Sequence, residues 1–410
     1  MKHQITYSGG PLCGTFHIPA SKSISNRLLI IYALAGQTFP EQQLSDSDDT
    51  AVMLRALRLD APIVDIGHAG TSMRFLTAYY AATGKARTIT GSGRMKQRPI
   101  GPLVDALNQL GAGIRYLEQP GCPPVATSGN PLQGREVIIN GSLSSQFITA
   151  LLLVAPTLPH GLVIRIQGPL TSASYVRMTL GLMRQAEIMA EQTENTISVP
   201  PGRYQPDGTP PEADWSGASY WYELAALMPG TELTLPGLRQ HSLQGDAVVA
   251  RLFEPLGVRT LFTPSGVQLS SGAATCSHFS HDCTECPDII QTLAVTLCLK
   301  DIPFRITGAH TLRVKETDRI AALQAELGKL GYPLQEPVAG TLEWTGEHTS
   351  PNSNSIETYQ DHRMALAFAP AALRFPGLCI ENPGVVSKSY PTFWDDLRKA
   401  GFHINPLSPL

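Results

Sequence analysis

The sequence predicts an α/β protein of two domains, each assembled from three copies of a unit about 70 residues long. Three observations carry that expectation. The chain has 410 residues, which suits two large domains better than one. An amphipathic helix, a Leu-Gly-like turn and a short strand-like stretch recur along it: LVDALNQLGAGIRYLE from Leu103, ARLFEPLGVRTLF from Ala250 and LQAELGKLGYPLQ from Leu323, with weaker copies from Val52, Met178 and Trp394. Finally, Pro200–Pro211 holds five prolines in twelve residues, where neither a helix nor an inner strand can run.

The turn residues of the six copies are Asp60, Gly111, Ala186, Gly257, Gly331 and Gly401, at successive gaps of 51, 75, 71, 74 and 70 residues. Glycine suits this place because the position after a helix often needs φ > 0. The same pattern can arise by chance in any α/β chain, so the period carries weight only with the other observations. The Pro-rich stretch falls between the third and fourth copies, which leaves three units on each side and a cleft between them.

Each polar cluster stands at a helix start. Pro19 to Arg27 leads into LLIIYALA, Gly70 to Arg74 into FLTAYYAA, and Ser144-Ser145-Gln146 into FITALLL. Pro287-Asp288 leads into IIQTLAVTLCL, with Pro287 suited to the first helical position; Lys315 to Arg319 leads into IAALQAEL, and Asp361-His362-Arg363 into MALAFAPAAL. A helix N-terminus offers free N–H groups and about half a positive charge, so several of them form an anion site before any side chain is counted. Lys22, Arg27, Arg74, Lys315, Arg319 and Arg363 coincide with these starts, and Arg94, Lys96, Arg98 and Lys388 lie nearby. Ser23 and Arg27 are four residues apart and share a helix face, and Glu316 and Arg319 are three apart and neighbours. Any one cluster alone reads equally as a cap or a solvated first-turn charge; six together point to small, multiply charged anions such as phosphates and carboxylates.

Composition excludes other classes. With 31 Lys+Arg against 34 Asp+Glu there is no basic excess, so general nucleic-acid binding is not expected. The longest apolar runs, such as Leu28 to Gly36, are far short of the ~20 residues that span a bilayer. The start, MKHQITYSGG, has no apolar signal region, and the seven cysteines are irregularly spaced; a reducing, cytoplasmic location is expected.

Taken together, the blocks Ser21-Lys22-Ser23-Ile24-Ser25-Asn26-Arg27, Ala69 to Arg74, Arg94 to Ile100, Ser144 to Phe147, Pro287-Asp288, Arg313-Val314-Lys315-Glu316-Thr317-Asp318-Arg319 and Asp361-His362-Arg363-Met364, with Lys388 ahead of Tyr390-Pro391-Thr392-Phe393, resemble the 5-enolpyruvylshikimate-3-phosphate synthase family, in the family's order over residues 19 to 393. The resemblance implies a two-domain inside-out α/β barrel of six βαβαββ units around an interdomain cleft, with residues 1–19 plus 213–410 in one domain and 20–212 in the other. It implies transfer of the enolpyruvyl group of phosphoenolpyruvate to the 5-hydroxyl of shikimate 3-phosphate, with release of phosphate and no metal or organic cofactor. Asp288 matches the family's base, Glu316 its proton donor and Lys22 a lysine close to both substrates. Lys22, Ser23, Arg27, Ser144, Ser145, Gln146, Ser172, Tyr175, Asp288 and Lys315 match its shikimate 3-phosphate pocket. Lys22, Gly70, Arg98, Gln146, Arg319, Arg363 and Lys388 match its phosphoenolpyruvate pocket. The expected partners are these two small molecules, with no nucleic acid, no membrane and a monomeric chain.

Three residues depart from the family pattern. His68 stands where Asn is common, Phe75 where Pro is common, and Thr311 where some members carry an Asn; these bear on inhibitor response and affinity rather than on the reaction. Two other functions compete. A UDP-N-acetylglucosamine enolpyruvyl transferase would carry Lys-Asn in place of Lys22-Ser23 and a reactive Cys before an Arg-Pro pair, yet no Cys lies between Cys13 and Cys122. A non-catalytic phosphometabolite-binding protein would lose Asp288 or Glu316. Cys276, His278, His281, Cys283 and Cys286 cluster within eleven residues. They lack paired-knuckle spacing and, by the resemblance, lie in the approach to Asp288. They are therefore read as loop residues, and no metal is expected.

Overall fold

The computed structural model describes residues 1–407. Its contacts divide the chain into two compact units. A terminal unit joins Met1–Pro19 to the chain from Glu212 onward, and an inserted unit is Ala20–Pro211. The second crossing falls at the end of the Pro-rich stretch.

In chain order, strands β1 (Lys2–Tyr7) and β2 (Cys13–Thr15) come first. The inserted unit opens with helices α1 (Lys22–Ala35) and α2 (Asp48–Arg58). It continues with β3 (Ile63–Asp65), α3 (Gly70–Ala82), β4 (Thr88–Thr90), α4 (Gly101–Gln109), β5 (Arg115–Tyr116) and β6 (Val125–Ala126). A further copy follows: β7 (Glu136–Asn140), α5 (Ser145–Val154), β8 (Leu162–Gln167), α6 (Ala173–Gln185), β9 (Glu191–Gln192) and β10 (Thr196–Val199). The terminal unit resumes with α7 (Trp215–Leu227), β11 (Glu232–Pro236), α8 (Val249–Leu252), β12 (Val258–Thr263) and β13 (Gly266–Ser271). Next come β14 (Phe279–Asp282), α9 (Ile290–Leu299), β15 (Phe304–Thr307), α10 (Arg319–Lys329), β16 (Gln335–Val338) and β17 (Thr341–Trp344). The chain ends with β18 (Ser355–Ile356), α11 (His362–Phe368), β19 (Leu378–Glu381), α12 (Phe393–Lys399) and β20 (Phe402–Leu407).

The strands form five four-stranded sheets of one design: β3-β4-β6-β5 and β7-β8-β10-β9 in the inserted unit, and β2-β11-β13-β12, β14-β15-β17-β16 and β18-β19-β1-β20 in the terminal unit. In each, the first two strands are parallel and the other pairs antiparallel. A parallel pair needs a crossover, and the first helix of each copy supplies it. Six copies were expected from the sequence. The copy built on α1 and α2 has no sheet of its own among the described residues. Its linking stretch from Gln37 to Ser47 holds Pro40, a 3-10 turn over Glu41–Gln43 and one β-branched residue, Thr38, which is poor strand material.

The turn glycines carry the repeat in their geometry. Gly111, Gly257, Gly331 and Gly401 have φ of 97°, 94°, 95° and 96°, each between a helix and the strand after it. In the copy marked by Ala186, the left-handed residue is Glu187, φ 64°, one place later than the sequence pattern implied.

Each copy has two kinds of helix. Every residue of α7, α9 and α11 is buried. A helix apolar on all sides must be enclosed, and α9 packs against both α7 and α11. In the inserted unit α1, α3 and α5 pack on one another in the same way. The second helices are two-faced; α4 buries Leu103, Val104, Ala106 and Leu107. The strands alternate, with Val137 and Ile139 of β7 inward and Glu136 and Asn140 outward, so each sheet covers the inner helices with one face. Five of the six polar clusters stand at the starts of inner helices, and the sixth, Lys315 to Arg319, stands at the start of the second helix α10.

Candidate active site

In the terminal unit the predicted residues converge on one guanidinium. Arg319, the first residue of α10, is 1% exposed. Its Nε and Nη2 donate to Asp361 Oδ2 and Oδ1 at 2.7 and 3.2 Å. Its Nη1 reaches Asp288 Oδ1 at 3.1 Å and its Nη2 reaches Glu316 Oε2 at 3.0 Å. Helix capping fixes the partners. Asp318 accepts from the N–H groups of Ile320 and Ala321 and so starts α10 one residue before Arg319. Asp361 Oδ1 accepts from the Arg363 N–H at 3.0 Å, so the carboxylate that grips Arg319 also caps α11.

Three more cations complete the set. Arg363 Nη2 lies 3.1 Å from Asp288 Oδ2, Lys315 Nζ lies 3.7 Å from Asp288 Oδ1, and Lys388 Nζ lies 2.9 Å from Glu316 Oε1. Lys315, Arg319, Arg363 and Lys388 therefore stand against Asp288, Glu316 and Asp361. Behind Arg363, Tyr220 Oη and Ser216 Oγ each lie 3.4 Å from its guanidinium, and Ser216 also donates to Asp246.

The electrostatics follow from burial. Burial alone would lower Arg319, but Asp361, Glu316 and Asp288 outweigh it and hold the guanidinium above its ordinary range. Burial pulls the Lys315 ammonium down, and Asp288 only partly opposes this. The Asp246 carboxyl is pushed up to about 7, by burial first and then by the charge of Asp288.

In the inserted unit Arg27 of α1 is the counterpart, 2% exposed. Its Nε donates to Thr179 Oγ1 at 2.8 Å, and its Nη1 and Nη2 donate to the carbonyls of Ser23 and Tyr175 at 2.8 and 3.3 Å. Its guanidinium lies 5.5 and 5.7 Å from the ring centres of Phe75 and Tyr175. Burial brings it down to about 10. Lys22 Nζ pairs with Asp49 Oδ2 at 3.4 Å. Ser144 caps α5, accepting from the Gln146 N–H, and the Gln146 amide reaches Thr71 Oγ1 at 3.3 Å; Ser145 is the first residue of that helix. Ser172 precedes α6 in a left-handed conformation, φ 55°. Gly70 faces Arg98: a Cβ there would lie 2.6 Å from Arg98 Nη1. Arg74 binds the Gly70 carbonyl at 3.0 Å and that of Pro99 at 2.6 Å, tying the glycine turn to the segment that holds Arg98.

The predicted residues thus form two sets. Asp288, Lys315, Glu316, Arg319, Arg363 and Lys388 form one connected cluster in the terminal unit, while Lys22, Ser23, Arg27, Gly70, Arg98, Ser144, Ser145, Gln146, Ser172 and Tyr175 belong to the inserted unit. Sequence reasoning missed Asp49 as the partner of Lys22, Asp361 as the clamp on Arg319, and the Ser216–Asp246–Tyr220 group behind Arg363. Asp49 and Asp246 both lie at helix starts, so the rule that found the cations could have found them too.

Helix starts and turns that gather four cations around a few buried carboxylates define the class as an α/β protein with a charge-paired cationic cluster. Comparison with known proteins narrows the class. A profile of the EPSP synthase (3-phosphoshikimate 1-carboxyvinyltransferase) family matches residues 58–397. The chain is 47% identical over 392 residues to a 3-phosphoshikimate 1-carboxyvinyltransferase of Bacteroides fragilis, covering 95% of this chain and 96% of the relative. It is 37% identical over 426 residues to the protein of that name from Methanospirillum hungatei, covering 95% and 96%. The solved structure of an EPSP synthase from Acinetobacter baumannii shares the fold, with a TM-score of 0.77 at 21% identity over 99% of this chain and 100% of that one. The chain belongs to the EPSP synthase family.

Proposed function

We propose that the chain transfers the enolpyruvyl group of phosphoenolpyruvate to the 5-hydroxyl of shikimate 3-phosphate, an enzymatic step of aromatic amino-acid biosynthesis. The observation that carries this reading is the Arg319 cluster, in which the base, the proton donor and four cations are linked through shared ion pairs. Asp288 takes the proton of the 5-hydroxyl as that oxygen attacks C2 of phosphoenolpyruvate, and Glu316 protonates C3. The tetrahedral adduct then loses phosphate, and C3 returns its proton to restore the double bond. Arginine suits both substrates because its fork meets carboxylate and phosphate with two parallel bonds.

The pairing pattern gives Glu316 a means of switching. Lys388 and Arg319, which hold its carboxylate, are the cations assigned to phosphoenolpyruvate. The anionic substrate competes for them, and a Glu316 stripped of counter-charge favours its protonated, proton-donating form. In the inserted unit, Ser23, Arg27, Ser144, Ser145, Gln146, Ser172 and Tyr175 take shikimate 3-phosphate with Lys315 and Asp288. Gly70, Arg98, Gln146 and Lys22 take phosphoenolpyruvate with Arg319, Arg363 and Lys388. On this reading both sets serve one pair of substrates in the interdomain cleft of a six-unit inside-out barrel. Compaction on adding both substrates, seen by small-angle scattering, tests that arrangement; an unchanged profile would count against it.

The reaction is tested by phosphate release from phosphoenolpyruvate with shikimate 3-phosphate, with UDP-N-acetylglucosamine as the parallel acceptor. Release is expected only with the shikimate ester. Glu316→Gln should lower kcat by about 10²–10³, the usual effect of removing one preorganised group at the reacting centre. Release with both acceptors, or an undiminished Glu316→Gln rate, would overturn the assignment.

A further inference from the structure

Of the five Cys and His residues clustered between Cys276 and Cys286, the fold gathers three. The ligand atoms of His281, Cys283 and Cys286 all lie within 4.8 Å of one another. Local structure explains the convergence. His281 and Cys283 are two residues apart at the end of β14, so their side chains share the face that buries Phe279. The chain then turns back, with the Cys286 N–H donating to the Cys283 carbonyl at 3.0 Å, which brings the second sulfur beside the first. Cys283 and Cys286 are 0% and 1% exposed and both are free thiols. His281 is only partly buried and marks the side from which an ion can enter. Cys276 is not in the group; its sulfur is turned to the Pro255 carbonyl at 3.5 Å.

We propose that His281, Cys283 and Cys286 form a three-ligand site for a soft, tetrahedral divalent cation of the zinc class, with the fourth position left to solvent. At Zn–S of about 2.3 Å and Zn–N of about 2.1 Å, tetrahedral ligand atoms lie roughly 3.5–3.8 Å apart. The three donors are therefore within about 1 Å of a binding arrangement, and side-chain rotation supplies the remainder. Binding exchanges two thiol protons for one Zn2+, which the thiolates and the neutral imidazole then hold. The site is separate from the Arg319 cluster but close to it in sequence. Cys286 immediately precedes the 3-10 turn Pro287–Ile289 that carries Asp288, so a bound ion would pin that turn to the end of β14.

The test uses the full chain, reduced and freed of metal, titrated with Zn2+ against a chromophoric chelator and with Co2+ as an optical probe. The expected result is one equivalent of Zn2+, two protons released per ion, and the visible bands of tetrahedral, thiolate-bound Co2+. Cys283→Ser and Cys286→Ser should abolish the bands, and Cys276→Ser should leave them. His281→Ala, at the partly exposed edge where folding is least at risk, should weaken Zn2+ binding by about tenfold or more. One equivalent of Zn2+ should raise the Tm of the wild type by more than that of His281→Ala. Failure to bind stoichiometrically, octahedral Co2+ bands without thiolate character, or wild-type affinity in His281→Ala would each overturn the proposal.

Discussion

Arg319 is almost wholly enclosed and depends on three carboxylates, so removing a partner strands a buried charge. Asp361 is the most exposed to this argument, because it holds two of the guanidinium nitrogens and is itself 0% exposed. Asp361→Asn should lower stability by about 3–5 kcal/mol, read as a fall in the urea midpoint at constant m-value; a shift below about 1 kcal/mol would show that the pair contributes little. Asp246 gives a pH signature. Its carboxyl is pushed up to about 7 in the folded chain, against its ordinary value of 3.8 in an unfolded one. Between those two values the folded state keeps a proton the unfolded chain has lost, so this group favours folding at low pH and its contribution is lost as pH rises towards 7. Asp246→Asn should therefore lose less stability than wild type between pH 4 and 7, and parallel pH profiles would refute the assignment. At Gly70, the space for a Cβ is taken by Arg98. Gly70→Ala should displace that guanidinium and raise KM for phosphoenolpyruvate more than it lowers kcat. The residue types of these sites were legible from their place at helix starts. Their pairing was not: Asp361 and Arg319 are 42 residues apart, and no local spacing encodes that contact.

At the scale of elements, the inner helices were readable because their apolar residues leave no polar face. The misreadings occurred where one residue overrode the pattern. The stretch MALAFAPAAL looked continuous, but α11 stops at Phe368 and a 3-10 turn takes Ala369–Leu373, because Pro370 cannot supply the N–H that a continued helix needs. The reading that Lys315 to Arg319 leads into a helix holds, with Asp318 as the cap and Arg319 the first helical residue. Helix α7 holds a polar residue within its apolar run. Glu223 is 0% exposed, neither carboxyl oxygen has a hydrogen-bond partner among the described residues, and burial raises it well above the ordinary carboxylate range. Glu223→Met keeps the length and removes two unsatisfied oxygens; it should raise stability at pH 8 by about 1–3 kcal/mol in urea melts. A loss of stability would mean that the carboxyl is satisfied after all, for instance by buried water.

For the whole molecule, the period of about 70 residues foretold connectivity better than it foretold count. Five sheets repeat one strand order among the described residues, and the stretch that would have held a sixth is poor in strand-forming residues and interrupted by Pro40. The insertion of one unit in the other is closed neatly at its base, where the Asp214 N–H donates to the Pro19 carbonyl at 2.9 Å, so the chain leaves and re-enters the terminal unit at neighbouring points. A compact unit of this size, inserted at one point of its host chain, can in principle fold by itself. Residues 20–211 expressed alone should unfold in one cooperative urea transition with native-like circular dichroism; a gradual, non-cooperative loss would show that the inserted unit needs its host.

Strand β1 lies between β19 and β20, pairing Lys2 with Glu381 on one side and with Leu407 on the other. During synthesis β1 is thus made long before either of the two strands it pairs with. At about 5–20 residues per second, β1 waits roughly 20–75 s for β19 to leave the ribosome, longer than the inserted unit needs to be made. A strand exposed that long could pair with the wrong edge. Its sequence, Lys-His-Gln-Ile-Thr-Tyr, offers one aliphatic side chain, Ile5, and leads with charge, the composition that keeps a waiting strand from sticking.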